Sequence, residues 1–296
     1  MPNTTANGIQ IEYDTSGEPS SPVLLLIMGL SAQLIDWEEE FLAQLIEKGL
    51  FVIRFDNRDA GLSTKFEEGG IPDMAGAGKG QRLQVPYTLN DMGDDAVGLL
   101  DALGIEKAHI CGVSMGAMIT QIIGYRHPSR VLSLINIMGS TGAPKLPKAR
   151  PDALEMLITP PPKQKEVYIE HAVIMWKIFW GSLDFDEDLI RKKAAVSYDR
   201  AFYPQGIARQ HAAIIASGNR RSNLASITAP TLVIHGSEDP LLPLEHGKDI
   251  VGAIPGAEIL IIEGMGHCLP KAAWPRMVDA IADHIKKSGH LLNTLP

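Results

Sequence analysis

Cysteine is nearly missing from this chain, with two in 296 residues, Cys111 and Cys268. Two distant thiols make neither a disulfide framework nor a metal-ligand spacing, so no metal site is expected. Long apolar runs are missing as well. Val23 to Leu30 is apolar but far shorter than the ~20 residues of a membrane-spanning helix, and it reads as a central strand. A basic excess is also lacking: 27 Lys and Arg stand against 35 Asp and Glu, a net charge of −8. That balance speaks against nucleic acid as a partner and suits a soluble enzyme. Met1 to Thr5 show no basic or apolar region of a signal peptide, so a cytoplasmic protein is expected. Ala75 to Gly80 superficially suggests a phosphate loop. Asp73 stands where its first glycine belongs, and Gly80 where Ser or Thr is required. With Gly69, Gly70 and Pro72 nearby, the stretch reads as a loop, and no cofactor is expected.

A hydrophobic content of 45% over this length is ample for one large α/β domain with an insert. Gly8 to Asp14 alternates as a first strand, and Val23 to Met28 is apolar throughout, as a strand buried on both faces would be. Trp37 to Lys48 is amphipathic through Phe41, Leu42, Leu45 and Ile46, and Leu50 to Phe55 is the next strand. Leu89 to Leu103 carries Met92, Ala96, Leu99, Leu100 and Leu103 on one helical face. A strand, a turn and a helix follow, then Val131 to Met138 as another strand. This alternation predicts a mostly parallel sheet flanked by helices.

The turn holds the chemistry. Ile110-Cys111 runs into Gly112-Val113-Ser114-Met115-Gly116, a G-x-S-x-G pattern between a strand and a helix. That context is a nucleophile elbow, where a strained turn exposes the serine hydroxyl at a helix N-terminus. A serine needs a base, and the elbow's order predicts an acid and then a histidine downstream. Pro230 to Gly236 is a strand with Ser237-Glu238-Asp239-Pro240-Leu241 after it; Ala257 to Ile262 is a last strand with Gly264-Met265-Gly266-His267 after it. Loops at carboxyl ends of strands are where open α/β sheets build sites. Ser114 is therefore the expected nucleophile, His267 the base and Asp239 the orienting acid, with Glu238 an alternative carboxylate. His235 and His246 fall within a strand and a helix and are expected to be structural, and Cys268 lacks an elbow. The oxyanion of an acyl-transfer reaction needs two amide donors. Met115 follows the nucleophile, and Leu30 follows Gly29 at the end of an early strand; these are the expected pair. Asp56 and Arg58 precede the elbow, out of triad order, and are expected to tie a loop together.

On these residues the chain resembles the α/β-hydrolase superfamily over nearly its whole length. The resemblance rests on Met28-Gly29-Leu30, on Arg54 to Ser63, on the elbow and on the Asp239 and His267 loops. It is most similar to bacterial serine esterases related to aclacinomycin methylesterase, sharing the Met-Gly turn, the Gly-x-Ser-Met-Gly elbow and the Gly264 to Pro270 tail. Leu30 stands where that methylesterase has glycine, and Glu67 to Gln84 reads as extra loop. The resemblance implies an α/β-hydrolase fold, with a core of 1–138 and 224–296 and a helical cap of 139–223 inserted before the last two strands. In that segment the alternation stops, prolines cluster from Pro144 to Pro162, and helical patterns follow near Lys165–Trp180, Glu187–Ser197 and Gln205–Ser217. Met175, Trp176 and Trp180 on the cap, with Trp37, are expected to face a small-molecule ester. The expected activity is carboxylic ester hydrolysis through an acyl-enzyme. Thioester, lactone or carbon–carbon hydrolysis, perhydrolysis and a non-catalytic ligand binder remain alternatives, and a homo-oligomer is left open.

Overall fold

Apolar residues on consecutive positions of one strand must be covered from both sides, and that requirement organises the structure. A computed structural model describes residues 1–74 and 83–292; the Ala75 to Gly80 loop, and with it part of the Glu67 to Gln84 stretch, lies outside the described residues. In chain order come β1 (Asn3–Ala6), β2 (Ile9–Ser16), β3 (Val23–Ile27), α1 (Glu39–Glu47), β4 (Phe51–Phe55), α2 (Leu89–Ala102), β5 (Ala108–Val113), α3 (Met115–Arg126) and β6 (Val131–Ile137). Then follow α4 (Pro151–Ile158), α5 (Lys165–Phe179), α6 (Glu187–Ala201), α7 (Pro204–Ser217), α8 (Arg221–Leu224), β7 (Thr231–Gly236), α9 (Glu245–Ala253), β8 (Glu258–Ile262) and α10 (Trp274–Leu292).

The strands form one sheet in the order β1-β2-β4-β3-β5-β6-β7-β8, antiparallel at the β1 and β2 edge and parallel from β4 to β8. Leu25 and Ile27 of β3 pack with α2 and α3, while Leu24 and Leu26 pack with α1 and α10. Ile110 and Cys111 of β5 divide the same way. Two apolar layers thus sandwich the sheet, as a parallel sheet requires. The chain visits β4 on one side of β3 and β5 on the other, so β3 and β5 flank the point where strand order reverses. Ligand crevices of open α/β sheets form at that switch point. Among the described residues no helix is long and apolar enough to cross a membrane.

The structure departs from the sequence reading at several elements. β1 was not expected; it is four residues long and pairs with β2 through Asn3↔Glu12 to Ala6↔Ile9. The first strand reads Ile9–Ser16, shifted from Gly8–Asp14 because β4 pairs with its far end, Tyr13 to Ser16. α4 was also not expected, since the proline cluster reads as a break; Pro151 opens that helix instead, where its missing N–H has no intrahelical partner to lose.

Charged residues are sunk around the loop after β4. Arg58 donates from Nε to Asp95 Oδ2 at 2.6 Å and from Nη2 to Asp95 Oδ1 at 2.7 Å. Asp56 accepts the amides of Leu34 at 2.7 Å and Leu62 at 2.8 Å. Gly61 turns at φ 47, where a Cβ would lie 2.0 Å from Asp56 Oδ2. Asp56 thus ties the loop to itself and to the segment after β3, while Arg58 ties it to α2. Arg209 of α7 grips Asp59 at 2.8 and 2.9 Å and so fastens the inserted helices to it.

His109 in β5 is buried, with Nδ1 2.8 Å from the Ser133 hydroxyl. Burial, with His284 nearby, pushes its imidazole down to about 4. An unfolded histidine titrates near ~6.5, so between about 6.5 and 4 the unfolded chain holds the extra proton. Stability is complete above that window and falls on acidification through it, by about 3 kcal/mol for this group. Urea unfolding at pH 7 and 4.5 is expected to show a clearly smaller acid loss in His109→Asn than in the parent. Equal losses would contradict the assignment.

Candidate active site

β5 ends at Val113 and α3 begins at Met115, leaving Ser114 as the whole turn at φ 55, ψ −114. A residue with a side chain in that region is strained, and it stays only where its surroundings fix it. The flanking glycines leave no alternative. A Cβ on Gly112 would sit 2.2 Å from the Gly116 carbonyl oxygen, and one on Gly116 would sit 2.1 Å from that of Ile27. The Ser114 amide donates to Ile137 in the next strand at 3.0 Å.

His267 Nε2 lies 2.9 Å from Ser114 Oγ, and its Nδ1 lies 2.7 Å from Asp239 Oδ2. A carboxylate only accepts, so Nδ1 carries the proton and Nε2 is left to accept from the serine hydroxyl. Asp239 Oδ1 takes the amides of Leu241 and Leu242 at 2.9 and 2.8 Å. Burial by itself raises the Asp239 carboxyl, but His267 and the Leu242 amide outweigh it and hold the group below the ordinary carboxylate value. Glu238 is exposed, and its carboxylate accepts from the Ser182 hydroxyl at 2.9 Å, away from His267. Of the two carboxylates, the fold brings Asp239 to the histidine. The end of α5 supports this loop: His267 N–H donates to Phe179 O at 2.6 Å and Gly266 N–H to Trp180 O at 2.9 Å.

Leu30 and Met115 bracket the serine. Among the described residues neither of their amides has an acceptor. Gly29 is needed for closeness, since a Cβ there would be 3.2 Å from Ser114 Cβ. The turn bends at Ser31, whose φ is 65. Gln210 of α7 secures that bend: its Oε1 accepts from Ser31 N–H at 2.9 Å, and its Nε2 donates to Arg58 O at 2.8 Å. Asn57 Nδ2 donates to Met28 O at 3.0 Å, fixing the other end of the turn.

A cavity of about 200 Å³ opens over Ser114 and His267. Met175, Trp176 and Trp180, expected from sequence, line it; Trp180 is mostly buried and gives its indole N–H to Asp184 O at 2.8 Å. Trp37 is also in the wall but entirely buried, stacked on Phe41 at 5.8 Å. Sequence reasoning missed Asp36, Glu38, Tyr168, Lys193 and Ser197, which line the same cavity. Ile190, Lys193, Ala194 and Ser197 fall on one face of α6 by helical spacing, the signal from which two of them were readable. His235 is buried with Nε2 2.7 Å from Leu242 O, and burial keeps its imidazole below the usual range. His246 bonds the Ser140 hydroxyl at 2.8 Å and Pro147 O at 2.9 Å. Both histidines are structural. The Cys268 thiol donates to Trp180 O at 3.2 Å, and burial pushes it far up.

A sequence profile described as alpha/beta hydrolase fold matches residues 22–271. The chain is 30% identical over 302 residues to rhodomycin D methylesterase DauP of Streptomyces sp. (strain C5), spanning 95% of this chain and 97% of that protein. It is 29% identical over 290 residues to rhodomycin D methylesterase DnrP of Streptomyces peucetius, spanning 91% and 93%. In structure it is similar to the enol-lactonase from Burkholderia xenovorans LB400, with a TM-score of 0.73 at 20% identity over 96% of this chain and 100% of that one.

The two carboxylates make a sharp comparison. Asp239→Asn is expected to lower ester turnover by about 10³ or more, because an amide neither balances an imidazolium nor keeps Nδ1 as the protonated nitrogen. Glu238→Gln is expected to stay within a few-fold of the parent. Steady-state rates of the purified variants check this; a larger loss in Glu238→Gln would reverse the assignment.

Proposed function

Since the chain belongs to the alpha/beta hydrolase fold family and is a hydrolase acting on ester bonds, we propose that it is a serine carboxylesterase working through an acyl-enzyme on small to medium carboxylic esters. The single observation that supports this reading is the unbroken hydrogen-bond line from Asp239 through His267 to Ser114, at 2.7 and 2.9 Å, at the floor of a mainly apolar cavity.

In this reading Ser114 Oγ attacks the ester carbonyl carbon while its proton passes to His267 Nε2. Asp239 fixes the ring and stabilises the imidazolium. The negative charge gathering on the carbonyl oxygen meets the amides of Leu30 and Met115, which have no other acceptor among the described residues. The tetrahedral intermediate collapses as the imidazolium gives its proton to the leaving alkoxide, and the alcohol departs. Water then gives a proton to Nε2 and adds to the acyl carbon. A second collapse returns that proton to Oγ and frees the acid. The cycle calls for no cofactor. Residues 139–223 serve as a cap in this proposal, their apolar side chains excluding water from the acyl-enzyme and selecting the ester by shape.

The test is covalent. A fluorophosphonate probe is expected to modify Ser114 stoichiometrically, read by mass spectrometry, and Ser114→Ala is expected to lose about 10⁴ or more in turnover of p-nitrophenyl esters with its fold intact. A variant that keeps most of its turnover, or a native protein that cleaves esters without labelling at Ser114, would overturn the proposal.

A further inference from the structure

The cavity has two unlike sides. Leu157, Met175, Trp176, Phe179 and Leu241 make one of them apolar. The polar lining residues other than Ser114 and His267 come from two stretches that meet, the segment from Ser31 to Glu38 and helix α6, with Tyr168 of α5 beside them. Lys193 Nζ is 3.0 Å from Glu38 Oε1, and Gln33 Nε2 donates to Ser197 Oγ at 2.8 Å, so the junction is tied together. Ile190, Lys193, Ala194 and Ser197 all line the cavity, which aims one face of α6 at it.

The charges on this side do not suit an anion. Asp36 and Glu38 outnumber Lys193, and Lys193 is already paired. The other nearby cation, Arg200, is taken up by Asp56 at 2.8 Å and by Gln33 Oε1 at 2.7 Å. What remains is hydrogen-bonding capacity: the Asp36 carboxyl, the Lys193 hydrogens that Glu38 does not take, and the Tyr168 and Ser197 hydroxyls, which also bond one another. Asp36 Oδ2 holds the Gln33 amide at 2.7 Å, which fixes the carboxyl in the wall. Burial pushes that carboxyl up while Lys193 draws it down. Tyr168 packs on Tyr198 and Phe202 at 5.3 and 5.6 Å, and burial keeps its phenol protonated.

We propose that Asp36, Tyr168, Lys193 and Ser197 form a hydrogen-bonding subsite that selects esters carrying neutral hydroxyl groups on one edge of an otherwise apolar body. A hydroxyl both donates, to the Asp36 carboxylate, and accepts, from the Tyr168 phenol and from the Lys193 hydrogens that Glu38 leaves unused. A carboxylate only accepts, and it meets two carboxylates across the cavity. This inference rests on the esterase reading and names its substrate class.

Three methyl 3-phenylpropanoates of equal length test it: the parent, the 4-hydroxy and the 4-carboxy compound. For the native enzyme kcat/KM is expected to be about five- to tenfold higher for the hydroxy ester than for the parent, the worth of one net hydrogen bond, and lowest for the carboxy ester. Asp36→Asn keeps an oxygen for the Gln33 amide and is expected to reduce the hydroxy preference to within about twofold of the parent. Lys193→Met frees Glu38 and is expected to deepen rejection of the carboxy ester. A native preference for the carboxy ester that Lys193→Met abolishes would overturn the proposal and make Lys193 a carboxylate anchor. An unchanged substrate ranking in both variants would overturn it as well. Fluorophosphonate labelling of Ser114 in each protein separates the two readings. Labelled, active enzyme indifferent to the hydroxyl removes the subsite alone, whereas unlabelled native protein that cleaves none of the esters removes the esterase reading with it.

Discussion

Everything at this site follows from one steric constraint, the closeness of two turns at the carboxyl ends of adjacent strands. β3 and β5 pair through Ile27↔Gly112, so the Met28 to Ser31 turn and Ser114 are pressed together. Space for a Cβ is missing at Gly112 and Gly116, and a Cβ at Gly29 would crowd Ser114 at 3.2 Å. Ser114 sits in a left-handed conformation that costs a few kcal/mol at most, roughly 1–3 for such strain. α3 offsets it, since nearly all of that helix is buried between sheet and α2. A serine side chain on such a turn has nowhere to point but out of the sheet, towards the loops that follow β7 and β8.

Those loops are held from two directions. The sheet supplies the strand ends, and the inserted helices supply the rest. Backbone carbonyls of Phe179 and Trp180 take the amides of His267 and Gly266, and a Cβ on Gly266 would fall 1.9 Å from Phe179 O. The end of α5 thus serves the histidine with its backbone and the cavity with its side chains. On the opposite flank, Arg209 and Gln210 of α7 reach into the loop after β4, whose own charges are paired within the protein. A buried charge left alone is costly, so this network favours one arrangement of the loop over looser ones.

Much of this was readable from residue order. Alternating apolar segments gave the parallel sheet, because buried strands and amphipathic helices differ in period. Gly112 and Gly116 marked the elbow because only glycine tolerates such approach. The Asp239 and His267 loops were legible because chain order in this topology brings strand ends to one edge. The carboxylate beside His267 was harder: Glu238 and Asp239 are adjacent and alike in charge, and burial separates them only once the loop is folded. β1 escaped notice because four residues, half of them exposed, carry no period. α4 escaped because proline ends helices and also begins them. Lys193 and Ser197 share a helical face, but Asp36 lies far from them in sequence and Tyr168 on another helix, and each of these two reads alone as an ordinary residue. Their convergence is a property of the packing of α6 on the segment after β3, which no local pattern reveals.

Gln210 has a consequence of another kind. One side-chain amide joins the Ser31 N–H to the Arg58 carbonyl, so a helix of the insert acts as an internal brace for the turn that bears Leu30. Lifting α7 away from the core would strand both bonds and release the turn it steadies. In engineering terms, the insert is not an exchangeable module: a replacement for residues 139–223 would have to bring its own equivalent of Gln210, or the Met28 to Ser31 turn would go slack although every residue of the core had been kept.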